Sequence, residues 1–182
     1  MRKILTVASG CLILLACNNE QKSDTRATTS SDSSAKTQQA EFAEQKYVES
    51  GKSSLGKFES GDVDGWLSDF ADNAVYSWSS GDSLAGKAAI VDYWKNRRAN
   101  VIDSIKFTND IWLPIKVNTP QRGPDLPGVW LLSWYQVDVK YKSGKKLMFW
   151  VHTDFHYNSA DKIDRAVQYI DRAPINAAVG IK

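Results

Sequence analysis

The chain has 182 residues, 42% hydrophobic and 24% charged, with 23 basic against 21 acidic side chains and a formal net charge of +2. That length suits one domain with an appendage, and the apolar fraction suffices for a core. The charge is too close to zero for a nucleic-acid or anionic-membrane surface, and seven tryptophans with eleven glycines exclude a low-complexity or collagen-like chain.

Arg2 and Lys3 precede an uncharged apolar run, Ile4 to Ala16. The run is shorter than the roughly 20 residues a bilayer-spanning helix needs and fits the core of a signal peptide. It ends Leu14-Leu15-Ala16-Cys17, which resembles the bacterial lipoprotein signal. The resemblance implies cleavage before Cys17, loss of 1–16, and a membrane anchor through lipid on Cys17. An ordinary cleaved signal and a buried apolar helix are the alternatives, and Cys11 sits too near the charges to compete. Cleavage takes Arg2 and Lys3 from the 23 basic residues and none of the 21 acids, leaving the charges balanced. The remaining cysteine is the acylated one, so neither a disulfide nor a thiol nucleophile is left. In a cell with two membranes, Asn18 after the cysteine resembles the outer-membrane sorting pattern of enterobacterial lipoproteins, facing either the periplasm or the surface.

Residues 17–40 hold the lipidated Cys17 and a Ser/Thr-rich stretch without aromatic or large aliphatic side chains, which reads as a flexible tether. A domain spans 41–175 and a C-terminal tail 176–182. Tyr47, Gly51, Leu55 and Phe58 recur at helical spacing, with Gly61 as a stop and Asp62 as a cap for the next helix. Val63, Trp66, Leu67 and Phe70 fall on one face of that second helix. Ala74 to Trp78 reads as a short strand ending at Ser80-Gly81-Asp82. A third helix starts near Lys87 and carries Ile90, Tyr93, Trp94 and Arg97 on one side. Ile105 to Val117 gives one or two strands interrupted at Pro114, and Asn118 to Gly128 is a Pro/Gly loop. Val129 to Tyr141, Lys145 to Tyr157 and Ile163 to Ile170 are successive strands. This order predicts an α+β fold with helices on one face of a mostly antiparallel sheet.

Four strings then carry a resemblance: Ser60-Gly61-Asp62-Val63-Asp64-Gly65-Trp66, Phe70-Ala71-Asp72-Asn73-Ala74-Val75-Tyr76, Leu84-Ala85-Gly86-Lys87-Ala88-Ala89-Ile90, and Asp161-Lys162-Ile163. In this order and spacing the stretch from Glu41 to Pro174 resembles the nuclear transport factor 2-like superfamily, closest to its SnoaL-like branch. The resemblance implies a cone of three N-terminal helices over a curved, mostly antiparallel sheet, a pocket between them, and frequent dimerisation. It implies little about chemistry, and no branch-specific catalytic motif transfers residue by residue.

Ser143-Gly144 reads as a two-residue hairpin turn, which sets Tyr135 opposite His152, Ser133 opposite Asp154 and Leu131 opposite His156. One face then carries Leu131, Ser133, Tyr135, Val137, Met148, Trp150, His152, Asp154 and His156, and is expected to form the helix-covered pocket. The other carries Trp130, Leu132, Trp134, Gln136, Phe149, Val151, Thr153 and Phe155, and through Trp130, Trp134 and Phe149 is expected to be a homodimer face. A turn at Asn158 to Asp161 puts Arg165 beside Asp154 and Val167 beside His152. Asp154 with His152 is the candidate acid/base pair, lined by Tyr135, Trp150, Tyr169, Ser133, His156 and Arg165. The alternative is a cross-strand ion pair of Asp154 with Arg165, leaving His152 as a wall residue. His152 and His156 lie about 13 Å apart along the strand, too far for one metal ion. Lys95, Arg97 and Arg98 read as a solvated face, and Trp66, Phe70, Tyr93 and Trp94 as core. A Ser133-His152-Asp154 triad lacks the supporting Gly-x-Ser-x-Gly elbow.

Besides a dimeric scaffold without ligand, two functions are open on these grounds, neither using a cofactor or nucleic acid. One is an envelope lipoprotein that binds a small apolar ligand or a partner. The other is a lyase or isomerase, like ketosteroid isomerase or polyketide cyclases, moving a proton with Asp154 and His152.

Overall fold

The computed structural model describes residues 38–122 and 125–180. The expected signal sequence, Cys17 and nearly all of the expected tether lie outside the described residues.

The elements run β1 (Ala40–Phe42), α1 (Lys46–Ser60), α2 (Val63–Leu67), β2 (Phe70–Trp78), β3 (Ser83–Ala85), α3 (Lys87–Asn100), β4 (Ile102–Val117), β5 (Gly128–Tyr141), β6 (Lys146–Tyr157), β7 (Ile163–Tyr169) and α4 (Ala173–Val179). The strands form one sheet in the order β1-β4-β5-β6-β7-β2-β3. Every pairing is antiparallel except β2 with β7. The architecture is α+β, as the order of elements predicts.

The helix patterns hold locally. Helix α1 buries Tyr47, Gly51, Leu55 and Phe58. Asp62 caps α2 by accepting the Gly65 amide at 2.8 Å. Phe70 belongs to β2 rather than to that helix. Gly51 marks where α1 crosses the sheet, because a Cβ there would meet Leu131 Cδ2 at 2.5 Å and Trp112 Cζ3 at 2.6 Å. The C-terminal segment, expected as a tail, is helix α4, started by Pro174 and burying Ile175 and Ala178.

Strand β4 is one continuous strand through Pro114. The Pro114 carbonyl accepts from the Ala43 amide at 3.0 Å on the short β1 side, so its donorless nitrogen also faces the edge and breaks no bond to β5. The irregularity lies instead between Thr108 and Ile111, where Asn109 adopts φ 55°.

The β5–β6 hairpin corrects the expected register. The Tyr141 amide bonds to the Lys145 carbonyl at 2.8 Å, and the Gly144 amide to the Tyr141 carbonyl at 2.9 Å, with Gly144 at φ 85°. The loop is therefore Lys142-Ser143-Gly144, three residues with the glycine in the left-handed position, and not the two-residue turn. Tyr135 pairs with Val151, Ser133 with Thr153 and Leu131 with Phe155. A one-residue slip exchanges the faces of β6 relative to β5. The helix-covered face carries Leu131, Ser133, Tyr135, Val137, Phe149, Val151, Thr153 and Phe155. The opposite, outer face carries Trp130, Leu132, Trp134, Met148, Trp150, His152, Asp154 and His156.

The β6–β7 register also shifts by two residues, one from a loop that runs on to Lys162 and one from an irregularity between His156 and Tyr157. Asp154 pairs with Val167, His152 with Tyr169 and His156 with Arg165. An even shift leaves Arg165, Val167 and Tyr169 on the face of Asp154, as expected.

Candidate functional site

Between the helices and the inner sheet face lies a cavity of about 90 Å³. Its wall includes Leu55 and Phe58 of α1, Trp66 of α2, Trp94 and Arg97 of α3, and Tyr135, Val137, Val151 and Phe155 of the sheet. Tyr76, Tyr141, Phe149, Gln168 and Ile175 also line it. An aromatic cluster supports one side. Trp94 meets Phe58, Trp66, Tyr76 and Tyr93 with ring centres 5.1 to 5.7 Å apart, mostly edge to face. Trp66 and Phe70 are buried core residues, as expected, and Tyr93 and Trp94 are partly buried and packed against that core.

The polar side-chain groups among the lining residues are three tyrosine hydroxyls, two indole N–H groups, the Gln168 amide and the Arg97 guanidinium. The Tyr135 hydroxyl is 2.9 Å from Thr153 Oγ1, and Trp78 Nε1 donates to Gln168 Oε1 at 3.0 Å. Burial holds the Tyr76 phenol well above its ordinary range and raises that of Tyr135. Both therefore act as neutral hydrogen-bonding groups and not as bases. No carboxylate or imidazole is among the lining residues.

The candidate acid/base residues are elsewhere. Ser133 and Tyr135 are on the inner face, where Ser133 Oγ donates to the Thr153 carbonyl at 2.7 Å. His152, Asp154, His156, Trp150, Arg165 and Tyr169 are on the outer face. The single pocket expected to unite the eight residues is thus split by the sheet itself, and Phe149 leaves the outer aromatic row to line the cavity.

His152 and Asp154 do meet. Two residues apart on β6, they lean together until Nε2 is 2.9 Å from Oδ1. The contact is close but not aligned as a hydrogen bond, and Oδ1 has no hydrogen-bond partner among the described residues. Burial pushes the Asp154 carboxyl upward, with the charge of His152 acting in the opposite direction. His152 Nδ1 is 3.0 Å from the Ser133 carbonyl, which can only accept, so Nδ1 carries hydrogen. The ring is stacked between Trp134 at 4.4 Å and Tyr169 at 5.2 Å. Arg165 does not pair with Asp154. Asp154 lines a groove with Ile115, Val117, Trp130, Leu132 and Val167, and with the charged Arg122 and Asp125.

His156 plays a different part. Its Nδ1 is 2.5 Å from Asp164 Oδ1 and its Nε2 is 3.1 Å from the Pro127 carbonyl. Both nitrogens face acceptors, and the ring packs on Trp130 at 4.9 Å. The residue brackets the end of the 118–127 loop to β7, and a Cβ at Gly128 would come within 3.0 Å of it. His156 is a brace and not a pocket wall.

The basic cluster of α3 divides. Lys95 pairs with Asp64 at 2.6 Å, while Arg97 turns to the cavity. Arg97, Trp94, Tyr76, Tyr141 and Gln168 are site residues that sequence reasoning did not select. The available signal was the position of Arg97 on the apolar side of α3, with Ile90, Tyr93 and Trp94.

No protein-family model matches the chain, and no curated protein matches it. Solved structures do. A Bacillus subtilis protein assigned as an isomerase superposes with TM-score 0.59 at 19% identity, over 76% of this chain and 95% of that one. A Xanthomonas campestris protein assigned as a polyketide cyclase superposes with TM-score 0.59 at 15% identity, over 74% and 97%. A nuclear transport factor 2-like protein of unknown function from Burkholderia pseudomallei gives 0.57 at 11%, over 72% and 95%. The chain has the nuclear transport factor 2-like fold. At these identities the likeness establishes that fold and leaves the chemistry to the residues.

Proposed function

We propose that this chain is a small-molecule-binding or accessory module of the bacterial cell envelope, held to the membrane through lipid on Cys17. The observation that carries the binding half is the cavity wall, which is apolar and aromatic, with one cation and no carboxylate or imidazole. Such a wall holds an apolar group but offers no base to move a proton. The anchor rests on the resemblance of Leu14-Leu15-Ala16-Cys17 to a lipoprotein signal. The decisive experiment is a ligand screen by thermal shift on wild type, His152→Ala and Asp154→Asn. A ligand that raises Tm equally in all three supports the cavity as the site. Absence of any shift across apolar compound classes removes the binding reading. Cys17→Ala should move the protein from the membrane to the soluble fraction.

One observation favours the rival reading, a cofactor-independent lyase or isomerase. His152 and Asp154 form a pre-organised pair beside the outer-face groove. A catalytic role there requires Asp154→Asn to abolish turnover while leaving the fold intact.

We further propose that the outer face is the homodimer surface. Ile111, Met148, Trp150 and Tyr169 are large apolar side chains exposed around Trp134. A concentration-dependent Tm that Trp134→Arg abolishes is the expected result, and a monomer at every concentration removes this proposal.

A further inference from the structure

Arg97 is the only cation among the cavity-lining residues. It stands in the last turn of α3, half-buried, where the cavity meets solvent. Lys95, two residues earlier, is matched by Asp64, but Arg97 has no carboxylate partner among the described residues. Its guanidinium carbon lies 5.7 Å from the centre of the Tyr93 ring, one turn back on the same helix. A face-on aromatic ring offsets part of the cost of removing a cation from water and leaves the donor fork of the guanidinium unused.

We infer that the cavity takes a small apolar monocarboxylate, its apolar part inside and its carboxylate on the Arg97 guanidinium. The inference rests on the cavity being a binding site and adds the class of ligand. Three observations set that class. A volume of about 90 Å³ is below the roughly 150 Å³ that admits benzene, so the enclosed part suits a short chain and not a fused multi-ring skeleton. A planar guanidinium matches a carboxylate in two parallel hydrogen bonds, and one positive charge balances one negative charge. No acidic side chain lines the wall to compete for Arg97. Tyr141 lines the same cavity as Arg97. Burial raises its phenol while the Arg97 charge acts against that rise.

The test is isothermal titration of the full chain with hexanoate and with hexanamide, its neutral counterpart. Hexanoate is expected to bind about tenfold tighter or better. Arg97→Gln should erase that preference while hexanamide binding persists, and Arg97→Lys, which keeps the charge and the stem, should retain part of it. Hexanamide binding as tightly as hexanoate overturns the carboxylate assignment and leaves the binding cavity standing. If neither compound binds wild type, the carboxylate assignment is overturned, and a titration with hexanol shows whether the binding reading falls with it.

Discussion

Nε2 of His152 lies 2.9 Å from Oδ1 of Asp154, on a ring held between Trp134 and Tyr169. Burial raises the Asp154 carboxyl above its unfolded value of 3.8, although the charge of His152 opposes this. The folded state therefore holds the proton more tightly than the unfolded chain. Its contribution is present below the unfolded value and is lost as pH rises through the folded one. Asp154→Asn lacks that loss, so its stability relative to wild type should improve as pH rises from below 3.8 through the raised folded value. Urea midpoints at fixed ionic strength measure it, and a pH-independent difference would show that Asp154 is not perturbed.

Tyr157 carries the same sign at alkaline pH. Burial pushes its phenol up to about 12 from 10.0, and its hydroxyl has no hydrogen-bond partner among the described residues. Between those values the unfolded chain ionises first, so the fold should lose roughly 2–3 kcal/mol from this residue. Tyr157→Phe should cost little at neutral pH and remove that share of the alkaline loss. Since Tyr76, Tyr135 and Tyr141 are also raised, the measurement is the difference between wild type and variant.

Two glycines of α1 should respond oppositely to alanine. At Gly51 the new methyl meets Leu131 and Trp112, and overpacking of about 1–3 kcal/mol exceeds the gain of about 1 kcal/mol in helix propensity. At Gly56 nothing lies within 4 Å, so Gly56→Ala should stabilise by about 0.5–1 kcal/mol. Equal effects in denaturant melts would mean that α1 does not cross the sheet at Gly51.

The two histidines should also separate. His156→Ala strands a carboxylate and a carbonyl and should cost about 2–3 kcal/mol. His152→Ala relieves a pair that is partly solvated on the outer face and should cost less. Chemical denaturation of both variants at neutral pH decides the order. A reversed order would transfer the bracing role to His152.

Much of the fold was legible because local rules and tertiary packing agree. The apolar stripe of α1, the Asp62 cap, the start of α3 and the long strands all sit where spacing and turn residues place them. Pro114 misled because a donorless nitrogen at a sheet edge costs nothing, which is a property of its neighbours. The C-terminal helix was hidden by its brevity. Its stability comes from burying Ile175 and Ala178 and not from propensity. Arg97 was read as solvated because a cation facing an apolar cavity is visible only when the opposite wall is known.

The sequence alone determined which residues alternate along β5, β6 and β7, that His152 and Asp154 share a face, and that both sides of the sheet are apolar. It also carries the short positive start and the apolar run ending at Cys17, and it places the +2 charge in Arg2 and Lys3. Tertiary structure decided which face meets the helices. Ser143-Gly144 serves a two-residue turn or the last two positions of a three-residue one, and the choice moves β6 by one residue. With a side-chain period of two, that residue carries His152 and Asp154 from the pocket to the outer surface and brings Phe149 and Val151 into the cavity.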